Sequence, residues 1–191
     1  MRRLKYAMTL SLDGYVTAPG DDIGWTEPSD DLHWHHNERT TEDTVALYGR
    51  RLWDNMAGYW PSVGDGPDVP AVMADFARRW RAQPKVVFSS TLTEEAVAKV
   101  GHNSRLHSGD AVEEIRRLKQ GDGGSLEIGG AMLAGAAIRA GLVDEYWLYY
   151  APVAIGAGAP YFRDLDSWLN LRLVETKTFD NGTVLLRYEK G

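Results

Sequence analysis

One junction in the sequence combines glycine and arginine in a way that could bind an anion. The apolar run Leu47-Tyr48-Gly49 ends at a glycine, and Arg50 and Arg51 follow at the start of a helical pattern. Cations at a helix N-terminus oppose the helix dipole, and an anion docked on the free N–H groups would remove that conflict. Arg50 could then grip a phosphate with two parallel hydrogen bonds. Two solvated arginines after a turn glycine explain the same residues equally well.

A second junction gathers hydroxyl groups after the apolar run Lys85–Phe88. Ser89, Ser90 and Thr91 follow one another there and could hydrogen-bond a phosphate or a ribose. Thr91 and Glu94 also have the spacing of a capping box, in which one hydroxyl closes the start of a helix. The two interpretations are compatible, because a cap uses only one of the hydroxyls.

A third junction, Gly129-Gly130, joins an apolar run to the small-residue helical pattern that starts at Ala131, Met132 and Leu133. Glycine lets a backbone approach a pyrophosphate closely, and a helix N-terminus attracts it. The full GxGxxG spacing of a Rossmann fingerprint is absent. The glycine-rich stretch 156–160 ends in Pro160 and is interpreted as a loop.

These junctions require strands and helices that alternate along the chain. A mostly parallel sheet between two helix layers, with an antiparallel edge, is the predicted architecture. The antiparallel edge is predicted to be a hairpin, which is indicated by the turn Asp180-Asn181-Gly182. The predicted strands are 4–12, 44–49, 85–90, 125–130, 143–156 and a hairpin over 171–190; the predicted helices are 31–42, 50–57, 70–82, 110–120 and 131–142.

Composition narrows the class of protein. The 191 residues include no cysteine and carry a net charge of -6. One domain over 1–191 is expected, without disulfides, thiolate metal sites or a cysteine nucleophile. The acidic balance argues against nucleic acid as a partner, and the apolar N-terminal stretch is too short and polar for a signal peptide or membrane span. A cytoplasmic protein is the expectation.

The three junctions, taken in order, resemble the dihydrofolate reductase-like superfamily. The resemblance is greatest to stand-alone relatives of the reductase domain of the bifunctional riboflavin-biosynthesis deaminase-reductase. It spans nearly the whole chain, and the ordered set is specific although no single motif is. The residues that carry it are Ser11–Gly14, Gly49-Arg50 with Leu52-Trp53, Lys85–Ser89 with Thr91-Leu92, Ile128–Gly130, Gly141–Glu145, Pro152, Gly156, Gly158 and Phe162.

The resemblance implies an NADPH-dependent reductase fold and a set of cofactor-binding residues. The family uses a Gly-Arg turn and the following helix start for the cofactor phosphates, hydroxyls for the 2′-phosphate, and a Gly-Gly turn under the pyrophosphate. The first strand and the loop after it lie beside the nicotinamide. One departure is Leu52, which stands where the family has threonine. The implied residues are Gly49, Arg50, Arg51 and Leu52; Ser89, Ser90 and Thr91; Gly129, Gly130, Ala131, Met132 and Leu133; and Ala7 and Val16.

On the substrate side, Asp31 occupies the place of the acidic residue that holds the pterin ring in dihydrofolate reductases. It is therefore the predicted catalytic residue, with Tyr15 and Trp25 as further substrate-binding residues. Asp30 and Asp31 are also ordinary first-turn residues of a helix.

His33, His35 and His36 could suggest a metal site. Only His33 and His36 share a helix face and no third ligand is evident, so no metal is expected.

The expected activity is hydride transfer to a C=N or C=O bond of a small heterocycle, of pterin or pyrimidine type. Two alternatives remain open: reduction of a phosphoribosylamino-pyrimidine in riboflavin biosynthesis, and a non-catalytic nucleotide-binding protein with the same fold, which Leu52 favours. A homodimer is also expected, because related proteins commonly pair and the strand Val143–Val153 is rich in the aromatic residues typical of interfaces.

Overall fold

The computed structural model describes all 191 residues of the chain. The strands are β1 (Leu4–Leu10), β2 (Tyr15–Thr17), β3 (Val45–Gly49), β4 (Lys85–Phe88), β5 (Ser104–His107), β6 (Leu126–Gly129), β7 (Glu145–Tyr150), β8 (Ala159–Pro160), β9 (Leu171–Thr178) and β10 (Val184–Lys190). The helices are α1 (Asp30–Arg39), α2 (Arg50–Tyr59), α3 (Ala71–Ala82), α4 (Glu94–Val100), α5 (Ala111–Gln120) and α6 (Ala131–Arg139), with a 3₁₀ turn at Trp60–Ser62.

Eight strands form one sheet in the order β5-β4-β3-β6-β1-β7-β10-β9. The six strands from β5 to β7 are parallel, and β10 is antiparallel to both β7 and β9. The mostly parallel sheet with a C-terminal antiparallel hairpin predicted from the sequence is confirmed. Because β6 inserts between β1 and β3, the carboxyl ends of these central strands border a crevice of the kind in which open α/β sheets bind ligands.

Alternate residues of the central strands pack into two helix layers. On β3, Leu47 belongs to the cluster formed with α5 and α6, whereas Ala46 and Tyr48 belong to the cluster formed with α2, α3 and α4. A third, smaller cluster joins Leu32 of α1 to β7 and the hairpin. Burial on both faces explains why these strands are continuous apolar runs in the sequence.

Four elements were missed by the sequence analysis. The helix α4 and the strands β2, β5 and β8 are short, and β5 is the polar edge strand Ser104–His107. Edge pairing needs only backbone groups, so it leaves little trace in side-chain patterning. The proposed capping box was wrong: Thr93, not Thr91, accepts the cap hydrogen bond, from the N–H of Ala96 at 3.2 Å.

The strand predicted over 143–156 is shorter and lies inside the sheet. β7 ends at Tyr150 and is flanked by β1 and β10. Its aromatic residues Tyr146, Trp147 and Tyr149 are buried within the chain. They therefore belong to the core, and the reason given above for a dimer interface at this strand was wrong.

None of the helices is both long and apolar enough to span a bilayer. His, Asp and Glu side chains do not gather in threes in a way that could hold a metal ion. Of the three histidines of α1, His33 bonds Asn37, His35 bonds Tyr149, and the ring of His36 packs edge-on against that of Tyr149.

Two buried tyrosines connect β1 to the segment that follows β8. The hydroxyl of Tyr161 donates to the carbonyl of Tyr6 at 2.9 Å, the hydroxyl of Tyr6 donates to the carbonyl of Tyr161 at 3.2 Å, and the rings stack at 4.1 Å.

We predict that Tyr161→Phe lowers the free energy of unfolding by about 1 kcal/mol, the usual net contribution of one buried hydrogen bond. Urea denaturation measures the loss. Tyr59→Phe is the control, because Tyr59 is exposed and should change stability little; equal effects from both variants would contradict the prediction.

Candidate functional site

A single large cavity of about 850 Å³ opens at the carboxyl ends of β3, β4 and β6 and extends along β1 and α1. Every residue predicted to bind the cofactor lines it. These residues come from five separate parts of the sequence, and the parallel sheet brings them to one crevice. They are Ala7, Val16, Gly49, Arg50, Arg51, Leu52, Ser89, Ser90, Thr91, Gly129, Gly130, Ala131, Met132 and Leu133.

The helix α2 begins at this cavity directly after β3. Its N-cap is Gly49, in an extended conformation and without a side chain that could cap the helix. The guanidinium of Arg50 donates to the hydroxyl of Thr91 at 2.9 Å and pairs with Asp54 at 2.7 Å. Arg50 therefore connects the start of α2 to the hydroxyl-rich segment after β4.

The Gly129-Gly130 turn brings β6 into contact with α2. A Cβ on Gly129 would collide with the side chain of Leu52, and Gly130 has a φ of +93°, which L side chains rarely adopt. The conformation of Gly130 requires glycine, whereas a larger residue at Gly129 would require the end of the Leu52 side chain to move. Gly130 is also the N-cap of α6, again without a side-chain cap.

The bare starts of α2 and α6 differ from the starts of α4 and α5, which have side-chain caps. Thr93 caps α4 with its hydroxyl, and the carboxylate of Asp110 accepts from two backbone N–H groups of α5. At α2 and α6 those donors stay free and face the cavity. Two helix dipoles with free N–H groups create a positive potential that favours a phosphate group.

The hydroxyls after β4 form a compact turn at the edge of the cavity. The Ser89 hydroxyl accepts from the backbone N–H groups of Thr91 and Leu92 at 3.2 and 3.1 Å. Ser90 and Thr91 are exposed and line the cavity. With Arg50 beside them, these groups supply a cation and hydroxyl donors at one corner of the site.

The inner end of the cavity contains a polar cluster that the sequence analysis missed. Arg39 on α1 donates to the carboxylate of Glu127 at 2.5 Å and to the hydroxyl of Tyr149 at 2.5 Å. Its guanidinium also lies 4.1 Å from the centre of the Trp147 ring. Glu127 and Tyr149 belong to β6 and β7, so Arg39 spans the sheet beneath β1.

Electrostatics at the inner end favour one charged pair and neutral imidazoles. Burial alone would lower the pKa of Arg39, but the carboxylate of Glu127 and the Tyr149 hydroxyl more than offset this, so the net pKa is raised. Burial, and then the charge of Arg39, lower the pKa of His35 to about 4 and that of His36 well below its ordinary value. Both histidines are neutral at pH 7 and can donate or accept hydrogen bonds without adding charge.

One sequence signal for this cluster was available. Glu127 interrupts the apolar run Leu126–Ile128 of a strand that is buried on both faces. A carboxylate in such a strand needs a partner, because an isolated buried charge is costly. The partner, Arg39, lies 88 residues earlier in the chain, and sequence spacing gives no indication of it.

The three residues predicted on the substrate side lie off the large cavity. The carboxylate of Asp31 accepts three hydrogen bonds. The donors are the Ser29 hydroxyl at 2.5 Å, the backbone N–H of Leu32 in the same helix, and the backbone N–H of Asp180 in the hairpin turn at 3.1 Å. The Ser29 hydrogen bond, ahead of the backbone donors, lowers the pKa of Asp31. Tyr15 pairs with Pro160, and Trp25 lines a separate cavity of about 190 Å³.

Other residues of the loop after β1 do reach the large cavity. Val16, Asp21 and Ile23 line it, and Asp21 pairs with Arg51 of α2 at 3.1 Å. The loop therefore forms a wall of the site, as the resemblance implied, although Trp25 is not part of that wall.

The crevice, the bare helix starts and the sheet order define an α/β protein built like a nucleotide-binding reductase. Residues 2–185 match the RibD C-terminal domain family, and the chain belongs to that family. Two Bacillus subtilis (strain 168) proteins are similar along their length. YyaP is 29% identical over 188 residues, covering 98% of this chain and 94% of YyaP, and YwjB is 37% identical over 190 residues, covering 96% of each.

Solved structures share the fold at low sequence identity. A Shewanella sp. PV-4 protein with a riboflavin-biosynthesis name superposes with a TM-score of 0.75 at 20% identity, covering 100% of this chain and 99% of that one. The Thermotoga maritima diaminohydroxyphosphoribosylaminopyrimidine deaminase/5-amino-6-(5-phosphoribosylamino)uracil reductase gives 0.66 at 17%, covering 100% and 57%. Enterococcus faecalis dihydrofolate reductase, complexed with NADP(H) and RAB-propyl, gives 0.63 at 15%, covering 99% and 96%. The dihydrofolate reductase-like fold is thereby confirmed.

The placement of Asp31 makes its predicted catalytic role testable. Its carboxylate bonds the hairpin turn rather than facing the cavity, so we predict that Asp31→Asn leaves kcat/KM and the NADPH dissociation constant within about twofold of the parent. A lost proton-transfer group would instead slow turnover by about 10²-fold or more. Steady-state kinetics and cofactor titration measure the two quantities.

The same substitution should affect stability in a pH-dependent way. A carboxyl whose pKa is lowered by folding stabilises the protein above its unfolded pKa, and that stabilisation disappears as the pH falls through the folded pKa. The parent should therefore lose more stability than Asp31→Asn on acidification. Asp30→Asn is the matched control, because Asp30 is the neighbouring first-turn acid.

Proposed function

We propose that this protein is an NADPH-dependent reductase that transfers a hydride to a C=N or C=O bond of a small heterocycle. The observation that carries the proposal is the convergence of two uncapped helix starts, α2 and α6, on one large cavity. Membership of a family of reductase domains supports the same conclusion.

The residues at the outer end of the cavity, where α2 and α6 begin, fit the phosphates of a dinucleotide. Free N–H groups at Gly49–Leu52 and Gly130–Met132 suit a pyrophosphate, and the absence of side chains on the glycines allows its close approach. Leu52 offers only its backbone N–H, because its side chain packs on Gly129. Arg50, Ser90 and Thr91 supply the charged and hydroxyl groups that a 2′-phosphate dianion prefers.

When bound, the cofactor supplies the hydride, and the protein orients the reactants and shields them. The small side chain of Ala7 leaves room beside β1, where a flat ring can lie against the sheet. The loop after β1 covers this region through Val16 and Ile23 and limits the access of water. Removing water strengthens the electrostatic interactions inside the site.

A second candidate activity is reduction of a phosphoribosylamino-pyrimidine in riboflavin biosynthesis. It is favoured by the name of the T. maritima neighbour and by the family itself. A non-catalytic nucleotide-binding role is the third candidate, since Leu52 removes a hydroxyl from the phosphate site. NADPH titration followed by an oxidation assay with dihydrofolate and with phosphoribosylamino-pyrimidines separates the three: binding without oxidation supports the third.

Cofactor preference tests the outer end of the site. We predict that NADPH binds more tightly than NADH by about 1.5–3 kcal/mol, or about 10- to 150-fold, if Arg50 holds the 2′-phosphate. Arg50→Ala should remove most of this preference, as measured by fluorescence titration of both cofactors. Asp54→Asn is the matched control: it removes the carboxylate that pairs with Arg50 and should preserve or increase the preference. Equal dissociation constants in the parent would contradict the assignment.

We also propose a homodimer, which is implied by the resemblance to a family whose members commonly pair. We expect sedimentation equilibrium at micromolar concentration to give twice the chain mass of 21.3 kDa. A single species of one chain mass across that concentration range would contradict it.

A further inference from the structure

Glu127 is the only carboxylate that lines the inner part of the large cavity. The other acid on the cavity wall, Asp21, lies on the loop after β1 and is paired with Arg51. Glu127 projects from the middle of the sheet, and 30% of its side chain is exposed, on the cavity side.

The two oxygens of this carboxylate have different surroundings. Oε2 accepts from Arg39 at 2.5 Å, whereas Oε1 accepts no hydrogen bond from the protein. Arg39 is held in turn by Tyr149 and by the Trp147 ring. The pair is therefore fixed in place, with one acceptor oxygen left for a ligand.

Tyr149 does not compete for that ligand. Its hydroxyl accepts from Arg39 and shares a second hydrogen bond with Nε2 of His35, 3.1 Å away. Other polar groups near it on the cavity wall include the hydroxyls of Thr9 and Thr40 and the neutral imidazole of His36. The inner end thus offers a fixed carboxylate flanked by groups that carry no charge.

Cations that could hold a phosphate are absent from the inner end. Arg39 is bonded to Glu127 and Tyr149, and its Nε is buried without a partner. The other arginines of the wall are Arg50 and Arg51 on α2 and Arg163 after β8. A phosphate at the inner end would meet a carboxylate and no free positive charge.

We propose that Glu127, positioned by Arg39, is the substrate-binding residue of this protein, and that it takes a planar nitrogen heterocycle whose bound edge carries amino N–H donors and no phosphate. An ionised carboxylate only accepts hydrogen bonds, and the free oxygen Oε1 has lone pairs that can accept from an amino group. This inference rests on the proposed function and gives the residue that selects the substrate. It replaces the role that the sequence analysis assigned to Asp31.

The test compares two probes of the same shape. 2,4-Diaminopyrimidine presents two amino groups as N–H donors, and 2,4-dimethylpyrimidine replaces both amino groups with methyl groups. We expect the parent protein to bind the diamino probe at least about tenfold more tightly, both with and without NADPH, by isothermal titration calorimetry. Glu127→Gln should abolish this preference and leave the NADPH dissociation constant unchanged. Glu38→Gln, which removes an exposed carboxylate from α1, should leave both unchanged.

Two further variants separate recognition from folding. Glu127→Asp keeps a partner for Arg39 but withdraws the carboxylate by one methylene, so the preference should fall without loss of the cooperative thermal transition. Tyr149→Phe leaves the carboxylate in place and should reduce the preference less than Glu127→Gln. If the parent binds the two probes equally, or if Glu127→Gln and Glu127→Asp both retain the preference, the inference is overturned. Failure of the parent to bind NADPH would overturn the proposed function instead.

Discussion

The contact between the Gly129-Gly130 turn and α2 is the constraint on which the rest of the site depends. The end of the Leu52 side chain occupies the space beside Gly129 where a Cβ would lie, so a larger residue there would displace this side chain. Gly130 must adopt a positive φ for α6 to start where it does. Because both helix starts are fixed by this one turn, their free N–H groups point into the same space. The conformational freedom that these glycines lose on folding is the cost of a preformed anion site.

The cavity divides into two electrostatic regions. At the outer end, backbone dipoles and the arginines of α2 favour negative charge. At the inner end, Arg39 and Glu127 neutralise each other, and burial keeps His35 and His36 uncharged. An elongated, negatively charged molecule could therefore lie at the outer end of the cavity, with a neutral flat molecule beside it at the inner end. β1 passes between the two regions with the small residue Ala7 at the cavity wall.

The buried ion pair is better explained by binding than by stability. Desolvation of two charges commonly offsets most of their attraction, and a well-packed apolar pair can be as stable. Arg39 also retains a buried Nε without a partner, which adds to the cost. A group that is costly to the fold but fixed at the wall of a cavity is typical of a functional site. The carboxylate of Asp31, by contrast, bonds Ser29 and Leu32 at the start of α1 and attaches this helix to the hairpin turn through Asp180.

The sequence by itself determined the sheet class, the order of its main elements and the outer end of the site. Apolar runs that end in Gly49, Phe88 and Gly129 encode parallel strands, and parallel strands place their carboxyl ends at one edge. Residues at those ends could therefore be assigned to one crevice without coordinates. Only the tertiary structure decided the inner end, since the partners Arg39 and Glu127 come from distant elements with no shared local pattern. It also decided that Asp31 faces a turn rather than the cavity, because the rotation and depth of α1 are set by packing against β7 and the hairpin. Local sequence rules specify where a helix starts, but not which of its first-turn side chains points toward a ligand.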